Sequence, residues 1–284
     1  MDAPPERENC TAFIHVASLM QEAGVHAPEV LAQDLDRGFL LLSDLGTTTY
    51  LKALDENNAD ALFSDAIDAL IKWQLASRAH ALPLYDEALL RRELELLPEW
   101  YMTRHLGIIP EARQREVLDT IFSRLIASAL AQPRVYVHRD YMPRNLMLSA
   151  PNPGVLDFQD AVYGPITYDV ASLFRDAFVS WPEERALDWI VRYWERARAA
   201  GLPVDPDFSA FYRALEWMGL QRHIKVLGIF ARIHYRDGKP GYLNDTPRFL
   251  AYARSVAERY AELHAFVPLL DSFEDRATRT AYSF

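Results

Sequence analysis

Three oxygen-bearing side chains stand at a spacing that chemistry can use. Asp140 closes the tripeptide His138-Arg139-Asp140, Asn145 follows in the next loop, and Asp157 lies beyond a short apolar stretch. In phosphoryl transfer, an Asp in the pattern His-Arg-Asp-x-x-x-x-Asn accepts the proton of the attacking hydroxyl. The Asn ligates magnesium, and an Asp at the next strand turn completes the metal's oxygen shell. Asp140 is therefore read as the base, with Asn145 and Asp157 as the metal ligands. Magnesium takes hard oxygens and keeps several waters, so one amide, one carboxylate and the phosphates of a nucleotide suffice. No covalent intermediate is required, because positioning and electrostatics supply most of the acceleration. In isolation Asp140 and Asn145 would be ordinary turn formers. Their setting argues otherwise: a strand precedes them, a hairpin follows, Asp157-Phe158 closes that hairpin, and Asp169 opens an apolar helix.

The elements that position these residues are legible around them. Val135, Tyr136 and Val137 read as a strand that stops at His138. Asn145 to Leu148 and Val155-Leu156 are apolar runs flanking Pro151, Pro153 and Gly154, which predicts a β-hairpin. Upstream, Asn9 is placed to cap a helix running to about Ala23, with Gly24 ending it. Two strands follow, Val30 to Leu35 and Phe39 to Ser43, joined at Asp36-Arg37-Gly38. From Thr48 onward the pattern is mostly helical. Leu62, Ala66, Ile67, Leu70 and Trp73 share one face, and Leu90, Leu94, Leu97 and Tyr101 another. Val117 to Leu130 forms a helix just before the catalytic strand. Between Leu215 and Ile233, Gln221, Arg222, His223 and Lys225 interrupt an apolar helix. Burying unpaired charge is costly, so they must face a cleft or partner, or find carboxylates and water.

The segments Asp157-Phe158-Gln159-Asp160 and Gly164-Pro165-Ile166-Thr167-Tyr168-Asp169-Val170-Ala171 resemble the aminoglycoside phosphotransferase and choline kinase branch of the kinase-like fold. Taken with Phe39 to Gly46, Gln221 to Arg232 and Arg236 to Leu243, they look like the bacterial anomeric sugar kinases of cell-wall recycling. Those enzymes phosphorylate N-acetylmuramate and N-acetylglucosamine at the C1 hydroxyl. The resemblance implies an α+β, protein-kinase-like two-lobed fold with a small lobe and a large, mainly helical C-lobe. It implies ATP and Mg2+ as cofactors and a small-molecule sugar as partner. Ser43, Asp44 and Leu45 then sit at the hinge whose backbone meets adenine, and His138 and Asp169 support the catalytic loop. Arg175 or Arg222 is placed to meet the lactyl carboxylate of N-acetylmuramate. Residues 1–45 would be the remnant of the nucleotide lobe, and 46–284 the helical lobe carrying catalytic loop and substrate site.

The departure from that pattern lies at the start. No glycine precedes Gly24 and no lysine precedes Lys52, so a Gly-rich phosphate loop and the strand lysine are expected upstream of Met1. The small lobe is expected to be truncated to two clear strands, with an unpaired edge and an uncovered apolar face.

The totals fit a folded enzyme of this size. The 284 residues include 30 Lys and Arg against 40 Asp and Glu, giving −10, which disfavours a nucleic-acid surface. The single cysteine, Cys10, excludes an internal disulfide and a thiolate zinc cluster and suits a reducing cytoplasm. The opening is too polar for a signal peptide, and the charges at Arg222 and Lys225 rule out a membrane span there. Two other functions compete with anomeric sugar phosphorylation. An aminoglycoside- or choline-type kinase is favoured mildly by the acidic total, and a catalytically impaired pseudokinase-like binding protein by the missing Gly-rich loop and lysine.

Overall fold

The computed structural model of the chain describes residues 1–3, 10–176 and 178–281, with only the backbone described at 275–281. It divides into two compact units, each assembled from two stretches: Met1–Tyr85 with Pro133–Phe211, and Asp86–Gln132 with Tyr212–Phe284. The boundary read at residue 45 falls inside the first unit. No helix among the described residues is long and apolar enough to cross a membrane.

The first unit opens with α1 (Cys10–Glu22), which buries Phe13, Val16, Ala17 and Met20. Gly24 ends it at φ 68°, a left-handed conformation that glycine adopts without strain. Asn9, read as its cap, lies outside the described residues. β1 (Val30–Asp34) and β2 (Phe39–Leu42) then pair antiparallel. The main-chain segment Met1 to Ala3 adds to β2 through a bridge between Asp2 and Phe39 and a bond from the Leu40 N–H to the Met1 carbonyl. That edge of β2 is thus paired, whereas the sequence had left it open. Leu31, Phe39 and Leu41 stay exposed, as the uncovered apolar face required.

After the short α2 (Tyr50–Ala53), α3 (Ala59–Leu75) buries a continuous face: Leu62, Phe63, Ala66, Ile67, Leu70 and Trp73. β3 (Arg134–Val137) pairs antiparallel with β6 (Val162–Pro165), and the two-residue strands β4 (Leu146–Met147) and β5 (Gly154–Val155) pair with each other. The sequence reading missed β6. With Gly164 and Pro165 in four residues, it carries little strand signal of its own. α6 (Tyr168–Phe174) and α7 (Glu183–Ala199) complete this unit.

The second unit is helical: α4 (Glu87–Leu94), a π-helical segment Leu97–His105, α5 (Ala112–Ala131), most of α8 (Phe208–Asp237), α9 (Thr246–Arg259) and α10 (Val267–Ala281). Leu90, Leu94, Leu97 and Tyr101 are all buried, as their spacing required. They do not share one helix, however, because Pro98 lacks an N–H and α4 ends at Leu94. α8 packs tightly here: a Cβ on Gly228 would lie 2.5 Å from the backbone carbon of Leu96. Beside that crossing, Lys225 pairs with Glu93 at 3.2 Å, both side chains under a tenth exposed. Gln221 donates to the same carboxylate at 3.3 Å. Lys225 therefore neither snorkels nor stands alone. The two stretches of this unit also meet where the Gln132 amide donates to the Ala214 carbonyl at 3.4 Å.

Candidate active site

The loop read as catalytic begins where β3 stops, and one carboxylate explains why it stops. Asp169, fully buried at the start of α6, accepts the backbone N–H of His138 at 2.7 Å and that of Arg139 at 3.0 Å. These donors would otherwise seek a strand ladder, and a buried donor left unmade is expensive. Because the carboxylate holds both, Arg139 takes φ 77°, a strained conformation for a residue with a long side chain. The chain then turns Asp140 out of the sheet.

His138 ties this loop to the hairpin beyond it. Its Nε2–H donates to the Leu156 carbonyl at 3.0 Å, so its Nδ1 is the acceptor for the Asp140 N–H at 3.2 Å. Both bonds require a neutral ring. Burial depresses the pKa of His138, against the opposing pull of Asp140 and Asp157, and keeps the ring neutral.

Asn145 joins the other two predicted residues. It ends a 3-10 turn, Pro143–Asn145, rather than opening β4. Its Nδ2 donates to the Asp140 carbonyl at 2.9 Å and to Asp157 Oδ2 at 3.3 Å. One amide thus touches the residue read as base and the residue read as metal ligand. Asp157, at φ 65°, also accepts from Gln159 Nε2 at 3.0 Å through its other oxygen. Gln159 is a site neighbour that spacing alone does not single out, the one signal being its place in the segment Asp157-Phe158-Gln159-Asp160.

The donor set suits magnesium. Pinning Nδ2 of Asn145 leaves its Oδ1 uncommitted beside a carboxylate, and hard oxygens of this kind are what the ion takes. Among the described residues no group of three His, Cys, Asp or Glu side chains is placed to hold a metal. The rest of the shell would have to come from phosphate and water oxygens, which magnesium tolerates.

The residues read as a hinge, Ser43, Asp44 and Leu45, are engaged locally. Ser43 Oγ accepts the Glu29 N–H at 2.8 Å, and Asp44 Oδ1 accepts the Gly46 N–H at 2.9 Å. The Ser43 N–H is itself spent on the Glu29 carbonyl at 3.0 Å, so what this segment can offer a purine is the remaining backbone of residues 43–45. Leu45 is buried against β5, where a Cβ on Gly154 would come within 2.9 Å of its Cδ1. Arg175 ends α6 in the first unit, 3.9 Å from Glu183, whereas Arg222 is buried on α8 in the second.

Comparison with known proteins extends this geometry. Residues 1–204 match the phosphotransferase enzyme family. The chain is 60% identical over 263 residues to the N-acetylmuramate/N-acetylglucosamine kinase of Pseudomonas putida, covering 93% of this chain and 78% of that one. It is 57% identical over 277 residues to the protein of the same name from Pseudomonas aeruginosa, covering 98% and 82%. Among solved structures, the choline kinase of Streptococcus pneumoniae superposes with a TM-score of 0.62 at 15% identity, covering 87% of this chain and 81% of that one. An ADP-bound aminoglycoside phosphotransferase gives 0.56 at 16%, covering 88% and 86%. These likenesses show the kinase-like α+β fold. The chain belongs to the phosphotransferase enzyme family.

Proposed function

We propose that this protein transfers the γ-phosphoryl group of ATP to the anomeric C1 hydroxyl of N-acetylmuramate and N-acetylglucosamine, as a cytoplasmic enzyme of peptidoglycan recycling. The name carried by relatives at 60% and 57% identity supports the substrate. The observation that carries the chemistry is the Asn145 amide, which spans the Asp140 main chain and the Asp157 carboxylate.

In this reading Asp140 is the general base. Its carboxylate is half-buried and accepts no hydrogen bond from the described residues, so in this reading it is open to accept the proton of the sugar hydroxyl. Asn145 and Asp157 hold Mg2+, which when bound neutralises charge on the β- and γ-phosphates. His138 and Asp169 keep the loop in its turned conformation, and the backbone of Ser43, Asp44 and Leu45 meets the adenine edge. Residues 1–45 serve the nucleotide and 46–284 carry the catalytic loop and sugar site. Arg175 or Arg222 meets the lactyl carboxylate that distinguishes N-acetylmuramate from N-acetylglucosamine.

The test offers ATP and magnesium with a panel of amino sugars, choline and aminoglycosides, and reads the products by phosphorus NMR. A sugar 1-phosphate is expected, and Asp140→Asn should abolish turnover while leaving sugar binding intact. Phosphorylation at another hydroxyl, preference for amino alcohols, or an unimpaired Asp140→Asn variant would overturn the assignment.

A further inference from the structure

Asn145 and Asp157 flank a hairpin that has almost no framework of its own. β4 and β5 contribute two residues each, and an isolated ladder of that length does not hold its orientation. Its strand residues Leu146, Met147, Gly154 and Val155 are buried and Met147 is bridged to Thr49, but the turn is less enclosed, since Pro151 is exposed and borders an open cleft of about 460 Å3 lined by α1 and residues 24–30. Asp140, by contrast, is held by β3, His138 and Asp169. Whatever sets the hairpin's angle therefore helps set the two oxygen ligands relative to the base, alongside the bond from the Asn145 amide to the Asp140 carbonyl.

Several bonds from outside the hairpin do so. The Leu148 N–H donates to the Thr48 carbonyl at 2.8 Å, and the Val155 N–H to the His26 carbonyl at 2.7 Å. His26 Nδ1–H donates to the Pro151 carbonyl at 2.6 Å. At the tip, Asn152 Nδ2 donates to Asp65 Oδ2 on α3 at 2.6 Å and to the Tyr50 hydroxyl on α2 at 2.7 Å. Tyr50 is fully buried, and burial together with the Asp65 carboxylate raises its pKa, so the phenol stays protonated. Asn152 Oδ1 is buried with no hydrogen-bond partner among the described residues. An amide whose acceptor end is left unmade is there for its donor end, which two oxygens share. A hydrophobic or acidic residue at 152 would meet those oxygens with nothing to give them.

We propose that Asn152, clamped by Asp65 and Tyr50, is the positioning residue that aims Asn145 and Asp157 at the metal and nucleotide. This rests on the phosphotransferase reading above. Groups bonded directly to metal ligands are worth roughly 10- to 100-fold in metal affinity, and Asn152, acting one step further out through the hairpin, is expected at about the low end of that range. Leu156 N–H, bonded to the Asn145 carbonyl at 2.9 Å, transmits the tilt of the hairpin to both of its ends.

The experiment measures ADP binding by calorimetry with and without magnesium, alongside melting temperature and sugar KM, for Asn152→Ala, Asp65→Ala and Asp65→Asn. Asn152→Ala and Asp65→Ala should lose roughly tenfold or more of the magnesium-dependent gain in nucleotide affinity. Metal-free ADP affinity and sugar KM should hold. Asp65→Asn keeps an acceptor oxygen for Asn152 and should recover most of the loss. If Asn152→Ala does not fold, Asp65→Ala carries the same comparison with the turn sequence intact. Variants that lose melting temperature while the magnesium-dependent gain is unchanged would reduce the clamp to ordinary stability and overturn the proposal. Wild-type protein whose ADP affinity ignores magnesium would overturn the phosphotransferase reading and this inference with it. A magnesium-dependent protein that phosphorylates no amino sugar would sink only the substrate assignment.

Discussion

Replacing Gly228 by alanine sets two effects against each other, and the structure decides between them. Alanine is the better helix former by about 1 kcal/mol, so on propensity alone the change stabilises α8. The added Cβ would, however, lie 2.5 Å from both the carbonyl carbon and the Cβ of Leu96, and 2.6 Å from its carbonyl oxygen. Two of these atoms are backbone and cannot rotate away, so the helix crossing must open by roughly 1 Å, an overpacking cost of about 1–3 kcal/mol. Lys225 lies one turn earlier on α8 and Glu93 three residues before Leu96, so the same opening stretches their 3.2 Å buried pair. A weakened buried ion pair leaves charge poorly compensated and adds to the loss. Less the propensity gain, the overpacking cost leaves about 1 kcal/mol, and the stretched pair carries the expected net destabilisation toward about 2 kcal/mol, read as a lower urea midpoint by circular dichroism and tryptophan fluorescence. A Gly228→Ala variant as stable as wild type would show that this crossing has slack and that the close approach of α8 is not a packing constraint.

Other expectations follow from the same geometry. Lys225→Met takes the cation away from the buried Glu93 carboxylate, leaving it the Gln221 amide, and should cost about 3 kcal/mol, whereas the double change Glu93→Leu with Lys225→Met should recover most of it; equal losses in single and double variants would refute the pairing argument. Asp169→Asn removes the charge that accepts two backbone donors. It should lower stability by about 2–3 kcal/mol and depress turnover with little change in sugar KM, and unchanged melting and rate would mean the loop is held by something else. Burial depresses the pKa values of His138 and His105, the latter also through repulsion by His234. The folded protein therefore refuses protons that the unfolded chain accepts, so this stability is complete above pH 6.5 and is lost as pH falls below it, with a slope approaching 1.4 kcal/mol per unit for each fully buried ring. Urea midpoints that rise between pH 6.5 and 5.5 would contradict that sign.

What the sequence revealed was local. Asp140 and Asn145 are close along the chain, and a strand followed by His-Arg-Asp predicts their juxtaposition without further information. The covered face of α3 is likewise a matter of spacing. What stayed hidden depends on partners distant in sequence. β6 exists because β3 is there to pair with it. The partner of Lys225 is Glu93, separated from it by all of α5 and the whole Pro133–Phe211 stretch. Asn152 reads as a turn residue between two prolines, and nothing near it announces Asp65. The break after Leu94 had a visible cause in Pro98, but the periodicity of Leu90, Leu94, Leu97 and Tyr101 concealed it, because a π-helical turn still buries the last two.

The chain's order of emergence during synthesis also matters. The stretch Asp86–Gln132 leaves the ribosome before any residue from Tyr212 onward exists, so Glu93, Leu96 and Tyr101 stay without Lys225, Gly228 and Phe273 while Pro133–Phe211 is made. Neither unit can be cut free by trimming an end. Since the Gln132 side chain reaches Ala214, a short glycine linker in place of Pro133–Phe211 would let the helical unit be expressed as one continuous chain.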